Sequence, residues 1–309
     1  MPDIVITEFV DEAAVADLAT DYAVVYDPEL VDKPDEMTPL LSDALALIVR
    51  NRTQVTEALL ETAPNLKVVG RLGVGLDNID LAACEARGIA VCPATGANTV
   101  AVAEYVIATM LVLLRGSAYA ANDSMVAGNW PRLESVGREA SGRQLGLVGL
   151  GAIAREVAKR AAALDMSVTA YDPFLAEDDD AWRLAQRIEL DALFASSDVV
   201  TLHVPLDEGT RHLVDAGRID RMKRDAIVIN AARGGVVDEQ AVTSALRHGR
   251  LGGAALDVFE TEPLDAGKGA LFANTPNLIL TPHIAGITDE ANIRTGAVTV
   301  ANVRSILER

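Results

Sequence analysis

Residues 146–172 read GLVGLGAIAREVAKRAAALDMSVTAYD. Leu145-Gly146-Leu147-Val148 is a short apolar run suited to a buried parallel strand. It breaks into Gly149-Leu150-Gly151, and a helical pattern follows with Ile153, Val157 and Ala161 on one face. A second apolar run, Val168-Thr169-Ala170-Tyr171, ends on Asp172, about 20 positions beyond Gly151. Glycine turns also join strands to helices for structural reasons alone, but strand, turn, helix, strand and acidic residue in this order form the dinucleotide-binding fingerprint. Gly149 permits the tight turn and Gly151 lets the backbone approach a pyrophosphate without a Cβ in the way. The helix N-terminus presents free N–H groups and the positive end of its dipole. Ala154 holds the third position of the pattern, where alanine is admitted. Asp172 suits ribose hydroxyls and repels a 2′-phosphate, and on its C-terminal side no arginine precedes Arg183, so NAD is favoured over NADP.

With 309 residues the chain is long enough for two domains, each with its own core. Hydrophobic residues at 50% and charged residues at 23% describe a globular protein and exclude disorder. A formal net charge of −18 argues against nucleic acid or an anionic membrane surface as partner, because no Lys/Arg run offsets the repulsion. The N-terminal MPDIVITEF is acidic where a signal peptide is basic, and no processing site follows it. The longest apolar run, 100–114, contains Glu104 and falls short of a membrane span; apolar all round, it is expected as a helix buried between domains. Cys84 and Cys92 fit neither a disulfide framework nor a metal spacing, so a reducing cytoplasm and no bound metal are expected.

Before the fingerprint, apolar runs at 4–6, 23–25, 46–49, 67–70 and 89–91 are candidate strands, with helices at 12–19 and at 53–61, the latter capped by Thr53. Alternating strands and helices imply a parallel sheet covered on both faces, a first domain smaller than the second. Within it RLGVGLDNID, residues 71–80, puts Gly-x-Gly directly after a strand. Successive N–H groups there make an anion-binding concavity, or merely turn the chain into a helix capped by Asp80. Arg50, Arg52 and Arg71 lie at or near strand ends, facing a ligand cleft or solvent. The loop-rich segment 118–143, with Trp130, Pro131, Arg132 and Arg138, is expected to be a dimerisation arm. Beyond the fingerprint, further strands are expected at 185–191, 198–203, 226–230, 251–257 and 277–280.

Three strand ends carry ionisable residues of the kind that open α/β sheets place in a ligand crevice: NAARGG at 230–235, DVFETEPL at 257–264 and LTPHIAG at 280–286. Arg233 offers a planar fork matched to a carboxylate. Of four histidines, His283 is the candidate for proton transfer, since His203 lies in a run leading to the cofactor and His212 and His248 read as surface positions. Glu262 is suited to hydrogen-bond its other ring nitrogen and favour the charged imidazole, which then donates a proton during carbonyl reduction. Taken singly, each residue also has a plain structural reading as a surface ion pair, a helix-start carboxylate or a core histidine.

Together, RLGVGLDNID, NTVAVAEYV, GLVGLGAIA, LHVPL, NAARGGVVDE, GAALDVFETEP and TPHIAG span nearly the whole chain in this order. The set closely resembles the D-isomer-specific 2-hydroxyacid dehydrogenases, particularly the phosphoglycerate dehydrogenase-like branch. The resemblance implies an α/β fold of two Rossmann-like or flavodoxin-like doubly wound parallel-sheet domains with an interdomain cleft. It implies a discontinuous substrate domain, 1–97 plus 287–309, with the last helix at about 289–307 wrapping back onto it, and an NAD-binding domain at 98–286. Arg233 would grip the substrate carboxylate and C2 oxygen, His283 would be the acid/base, and Glu262 would orient and tune it. Backbone at Val74 and Gly75 would hold the carboxylate. Ala152, Ile153, Asp172, Val204, Ala231, Asp257 and Gly286 would line the NAD site beside Gly149 and Gly151. Glu262 sets the chain apart from the formate-oxidising relatives, which carry an amide at this place. Because the chain ends at Arg309, the regulatory C-terminal domains of longer phosphoglycerate dehydrogenases, and serine feedback, are not expected.

The expected reaction is reversible hydride transfer between NAD and C2 of a small 2-hydroxy acid. A second anionic group, as in 3-phosphoglycerate or 3-sulfolactate, would be met by Arg52, Arg71 or, across a homodimer, Arg132; hydroxypyruvate or glyoxylate would need fewer of these. From another class, an NAD(H)-sensing scaffold of the co-repressor kind resembles the same family and keeps the same three residues, so only turnover separates it from an enzyme.

Overall fold

The computed structural model describes residues 2–309. The chain divides into two compact units, Met1–Asn98 with Ile287–Arg309, and Thr99–Gly286. In the first, strands β1 (Ile4–Ile6), β2 (Val24–Tyr26), β3 (Ala46–Val49), β4 (Val68–Arg71) and β5 (Ala90–Pro93) form a parallel sheet in the order β2-β1-β3-β4-β5. This is a flavodoxin-like order, whose direction reverses between β1 and β3, the point at which such sheets bind ligands beyond their carboxyl ends. β1, β3 and β4 are buried on both faces, which is why they read as unbroken apolar runs. Leu41, Leu47 and Leu60 pack on one face and Ile4, Leu18 and Val303 on the other. The closing helix Asp289–Leu307, capped by the Thr288 side chain on the N–H of Ala291, supplies Val300 and Val303 to that second layer.

The second unit holds β6 (Gln144–Val148), β7 (Ser167–Tyr171), β8 (Gln186–Arg187), β9 (Val199–Leu202), β10 (Ile227–Asn230), β11 (Gly253–Leu256) and β12 (Leu278–Leu280). All pair in parallel, in the order β12-β11-β10-β9-β6-β7-β8. This is the dinucleotide-fold order with one strand added, reversing between β6 and β9. Met110, Leu113, Val157 and Ile227 build the core on one face, and Leu193, Phe194, Val228 and Val242 on the other.

Most expected strands appear with their ends shifted by one or two residues. Three expectations need correction. The helix expected from Thr53 is Glu57–Glu61, capped by Thr56, because Thr53 is buried, its hydroxyl 2.8 Å from that of Thr7 and its N–H donated to Glu8. The strand expected at 185–191 is only Gln186–Arg187; Leu190, Leu193 and Phe194 recur at helical spacing and fold as the helix Leu190–Ser196. The helix Thr99–Arg115 lies within the second unit and is not buried all round: Met110 and Leu113 enter the core, whereas Val100, Leu111 and Val112 are 36–40% exposed. The stretch Thr99–Val126 has the length and composition to cross a membrane, yet Ala103, Val106, Met110, Leu113 and Leu114 pack into this unit's core.

Candidate active site

The seven-stranded sheet brings distant parts of the chain to one edge. Gly149, Gly151, Ala152 and Ile153 follow β6, Asp172 follows β7 and Val204 follows β9. Ala231 and Arg233 follow β10, Asp257 and Glu262 follow β11, and His283 and Gly286 follow β12. Parallel strands place all these carboxyl ends on the same side.

At the reversal point, Gly149 has φ +89°, and a Cβ there would lie 2.6 Å from the carbonyl oxygen of His203. Only glycine lets the β6 turn pass the β9 loop. A Cβ at Gly151, by contrast, would meet nothing within 4 Å. Gly151 opens the helix Ala152–Ala162 without a side-chain cap, so the N–H groups of its first turn have no partner inside the helix. Asp172 braces the same turn, accepting the N–H of Leu150 on Oδ2 at 2.9 Å and that of Phe174 on Oδ1 at 3.0 Å, and it retains acceptor capacity for hydroxyls. These features fit a dinucleotide, with its pyrophosphate at residues 149–153 and a ribose at Asp172. Burial pushes the His203 imidazole down to about 4, so the ring beside the turn is neutral near pH 7.

Across the edge, His283 Nδ1 lies 2.7 Å from Glu262 Oε2. His283 has φ +56°, in the left-handed region where histidine is enriched among non-glycine residues. Its N–H donates to the carbonyls of Asp257 at 2.8 Å and Thr281 at 3.0 Å. Asp257, 1% exposed, accepts the Thr281 hydroxyl at 2.6 Å and the N–H groups of Ile284 and Ala285, each at 2.8 Å. The Tyr105 hydroxyl is 2.6 Å from that of Thr281, and burial pushes the phenol up to about 12, so it stays protonated. One buried carboxylate thus fixes the loop that aims the imidazole.

Burial raises the pKa of Glu262, but the hydrogen bond from His283, the N–H of Phe259 and the positive charges of His283 and Arg233 outweigh it, holding the carboxyl below its usual range. The Arg233 loop reaches Glu262's loop because a Cβ at Gly234 would overlap the Phe259 carbonyl. Asn230, 1% exposed, ties that loop down: its amide donates to the Arg233 carbonyl at 2.9 Å and accepts the N–H of Ala232 at 3.1 Å. Arg233 Nη1 donates to the Ala232 carbonyl at 2.6 Å. A carboxylate-paired imidazole near a guanidinium can exchange a proton with a hydroxyl or carbonyl oxygen and hold an adjacent carboxylate. Among the described residues no group of three or more His, Cys, Asp or Glu is arranged to hold a metal ion.

In the first unit, the Arg52 guanidinium pairs with Asp32. Arg71 is 9% exposed and turned onto its own loop, Nε donating to the Gly75 carbonyl at 2.8 Å and Nη1 to that of Leu72 at 2.6 Å. With those carbonyls drawn to Arg71, the N–H groups of Val74 and Gly75 have no acceptor among the described residues. Arg132 is exposed in the segment that precedes β6. Three contributors were not singled out from the sequence: Asn230, Tyr105 and Glu8. Glu8, two positions past β1, satisfies the same criterion that selected Arg233 and His283, an ionisable side chain just beyond a strand.

Residues 107–285 match the model of the D-isomer specific 2-hydroxyacid dehydrogenase, NAD binding domain. The chain is 52% identical over 308 residues to (S)-sulfolactate dehydrogenase of Chromohalobacter salexigens, with 99% of each chain covered. It is 42% identical over 258 residues to D-3-phosphoglycerate dehydrogenase of Archaeoglobus fulgidus, covering 84% of this chain but 48% of that one, so it matches about half the length of that relative. Among solved structures it is similar to D-lactate dehydrogenase from Aquifex aeolicus complexed with NAD and lactic acid, at a TM-score of 0.84 and 30% identity, covering 99% of this chain and 95% of the other. The chain belongs to the D-isomer specific 2-hydroxyacid dehydrogenases and is an NAD-dependent oxidoreductase.

Proposed function

We infer that this enzyme interconverts a D-configured 2-hydroxy acid bearing a second anionic group, of the 3-sulfolactate type, with its 2-oxo acid. The observation that carries the reading is the extent of the likeness to sulfolactate dehydrogenase, 52% identity with 99% of both chains covered. The S descriptor of that relative's substrate agrees with a D-isomer family. The sulfur-bearing carbon outranks the carboxyl carbon, so S in sulfolactate is the spatial arrangement called R in D-lactate.

When bound, NAD supplies the hydride acceptor or donor for C2. In the oxidising direction His283 takes the hydroxyl proton on Nε2, and Glu262 at 2.7 Å from Nδ1 stabilises the imidazolium that results. In reduction the same imidazolium returns the proton to the carbonyl oxygen. Arg233 binds the substrate carboxylate and polarises the C2 oxygen. The N–H groups of Val74 and Gly75, on the loop whose Leu72 and Gly75 carbonyls Arg71 holds, assist with the carboxylate. Arg52 meets the sulfonate, exchanging its exposed pairing with Asp32 for the ligand.

The reading extends to a homodimer. Val126, Trp130, Leu133 and Val136 are 73–89% exposed, an apolar display that a second copy would cover. Cys84 and Cys92 are free thiols, in keeping with a reducing cytoplasm. The test is NADH oxidation with sulfopyruvate, hydroxypyruvate and 3-phosphohydroxypyruvate. Sulfopyruvate should exceed hydroxypyruvate, which lacks the distal anion, in kcat/KM by about tenfold or more, the value of one charge-assisted contact. Equal or better use of hydroxypyruvate overturns the substrate, and NADH binding without turnover on any acid overturns the enzymatic reading in favour of a scaffold.

A further inference from the structure

The switch point of the first unit's sheet holds a buried carboxylate. Glu8, 4% exposed, accepts four consecutive backbone N–H groups from the loop after β3. Its Oε1 takes those of Arg50 at 2.9 Å and Thr53 at 2.9 Å, and its Oε2 takes those of Asn51 at 3.2 Å and Arg52 at 3.0 Å. Burial alone would raise its pKa, but these bonds hold it below the ordinary carboxylate value, so the group is charged. The loop it gathers carries two arginines. Arg50 is fixed by the Phe9 carbonyl at 3.3 Å and the Asn292 side chain at 2.9 Å, whereas Arg52 is half exposed and its guanidinium pairs with surface Asp32.

We propose that Glu8 is the positioning residue for the distal anionic group of the substrate: its carboxylate winds residues 50–53 so that Arg52 is presented to the sulfonate. The inference rests on the reading that this loop meets that group. Its chemistry is specific to a carboxylate. Each oxygen accepts two N–H groups, so glutamine in either orientation would set an amide NH2 against two donors. Aspartate keeps the charge but withdraws it by one methylene. An exposed arginine on an unbraced loop pays the full ordering entropy when it binds an anion; on a braced loop most of that ordering is already done.

The experiment compares full-length wild type, Glu8→Gln, Glu8→Asp and Arg52→Ala, using sulfopyruvate and glyoxylate, which lacks a distal anion, with saturating NADH. Glu8→Gln should raise the ratio of KM for sulfopyruvate to KM for glyoxylate about tenfold, with Glu8→Asp intermediate and kcat for sulfopyruvate much less affected. Equal loss on both acids, or no change in the ratio, overturns the proposal. Arg52→Ala reports on the substrate reading separately. If its ratio is unchanged while that of Glu8→Gln rises, Arg52's contact is withdrawn and Glu8's control of the loop stands. If Glu8→Gln fails to fold, amide exchange in the wild type decides: protected N–H groups at 50–53 support the brace, and free exchange there overturns it.

Discussion

Replacing Glu262 by Gln keeps the shape of the side chain facing His283 and removes its charge. A hydrogen bond to a charged group contributes roughly 1.5–3 kcal/mol. The two side chains retain 39% and 30% of their exposure, so solvent screening places the pair at the lower end, about 1.5 kcal/mol. That loss falls on the imidazolium, which acts as acid in reduction and is formed in oxidation, and it corresponds to about a tenfold decrease in kcat/KM for reduction. The substitution also leaves Oε1's role at the Phe259 N–H, 3.0 Å away, available to the amide oxygen, so the loop should persist. The assay is initial-rate NADH oxidation, variant beside wild type, between pH 6 and pH 9. A Gln variant within about twofold of wild type across that range would refute the assignment of Glu262 as the imidazole's electrostatic partner.

Gly234→Ala drives a methyl into the Phe259 carbonyl, so the two loops must part; a loss of about 1–3 kcal/mol in stability and a larger proportional loss of turnover are expected, and an unchanged melting temperature would contradict the close approach. Glu262 has a folded pKa below its unfolded value of 4.5, so its stabilisation is present above that value and is lost as pH falls through the lower folded one. Acid unfolding should accordingly be shallower for Glu262→Gln below about pH 4.5, and superimposable curves would count against the depressed pKa. Asp172→Asn removes the charge that opposes a 2′-phosphate and should improve the NADPH-to-NADH ratio of kcat/KM by about fivefold; no change would place Asp172 away from the ribose.

The sequence revealed what depends on local pattern. Gly149, Gly151 and Asp172 declare a strand, turn and helix through their own backbone requirements, and Arg233, Glu262 and His283 stand at strand ends that a parallel sheet must bring together. What it concealed depends on which distant loop a residue meets. Gly234 is one glycine among many until Phe259 is seen against it. Arg71 reads as facing a ligand cleft or solvent, and nothing in its local pattern tells that its Nε and Nη1 donate to the carbonyls of Gly75 and Leu72, contacts made by loop curvature. Thr53 reads as a helix cap, but Glu8 and Thr7, more than forty positions away, claim its polar groups. The helix Leu190–Ser196 is hidden differently: Ile188 and Leu190 prolong the apolar pattern past the short edge strand Gln186–Arg187 and so blur the point where helical spacing begins.

The most direct measurement is turnover of His283→Ala alongside NADH binding by titration calorimetry. General acid–base catalysis by a positioned side chain accounts for about 10²–10⁴ in rate. The variant should lose that much with sulfopyruvate while its NADH affinity stays within about twofold of wild type. Turnover near the wild-type rate with the imidazole gone would contradict the account at its centre.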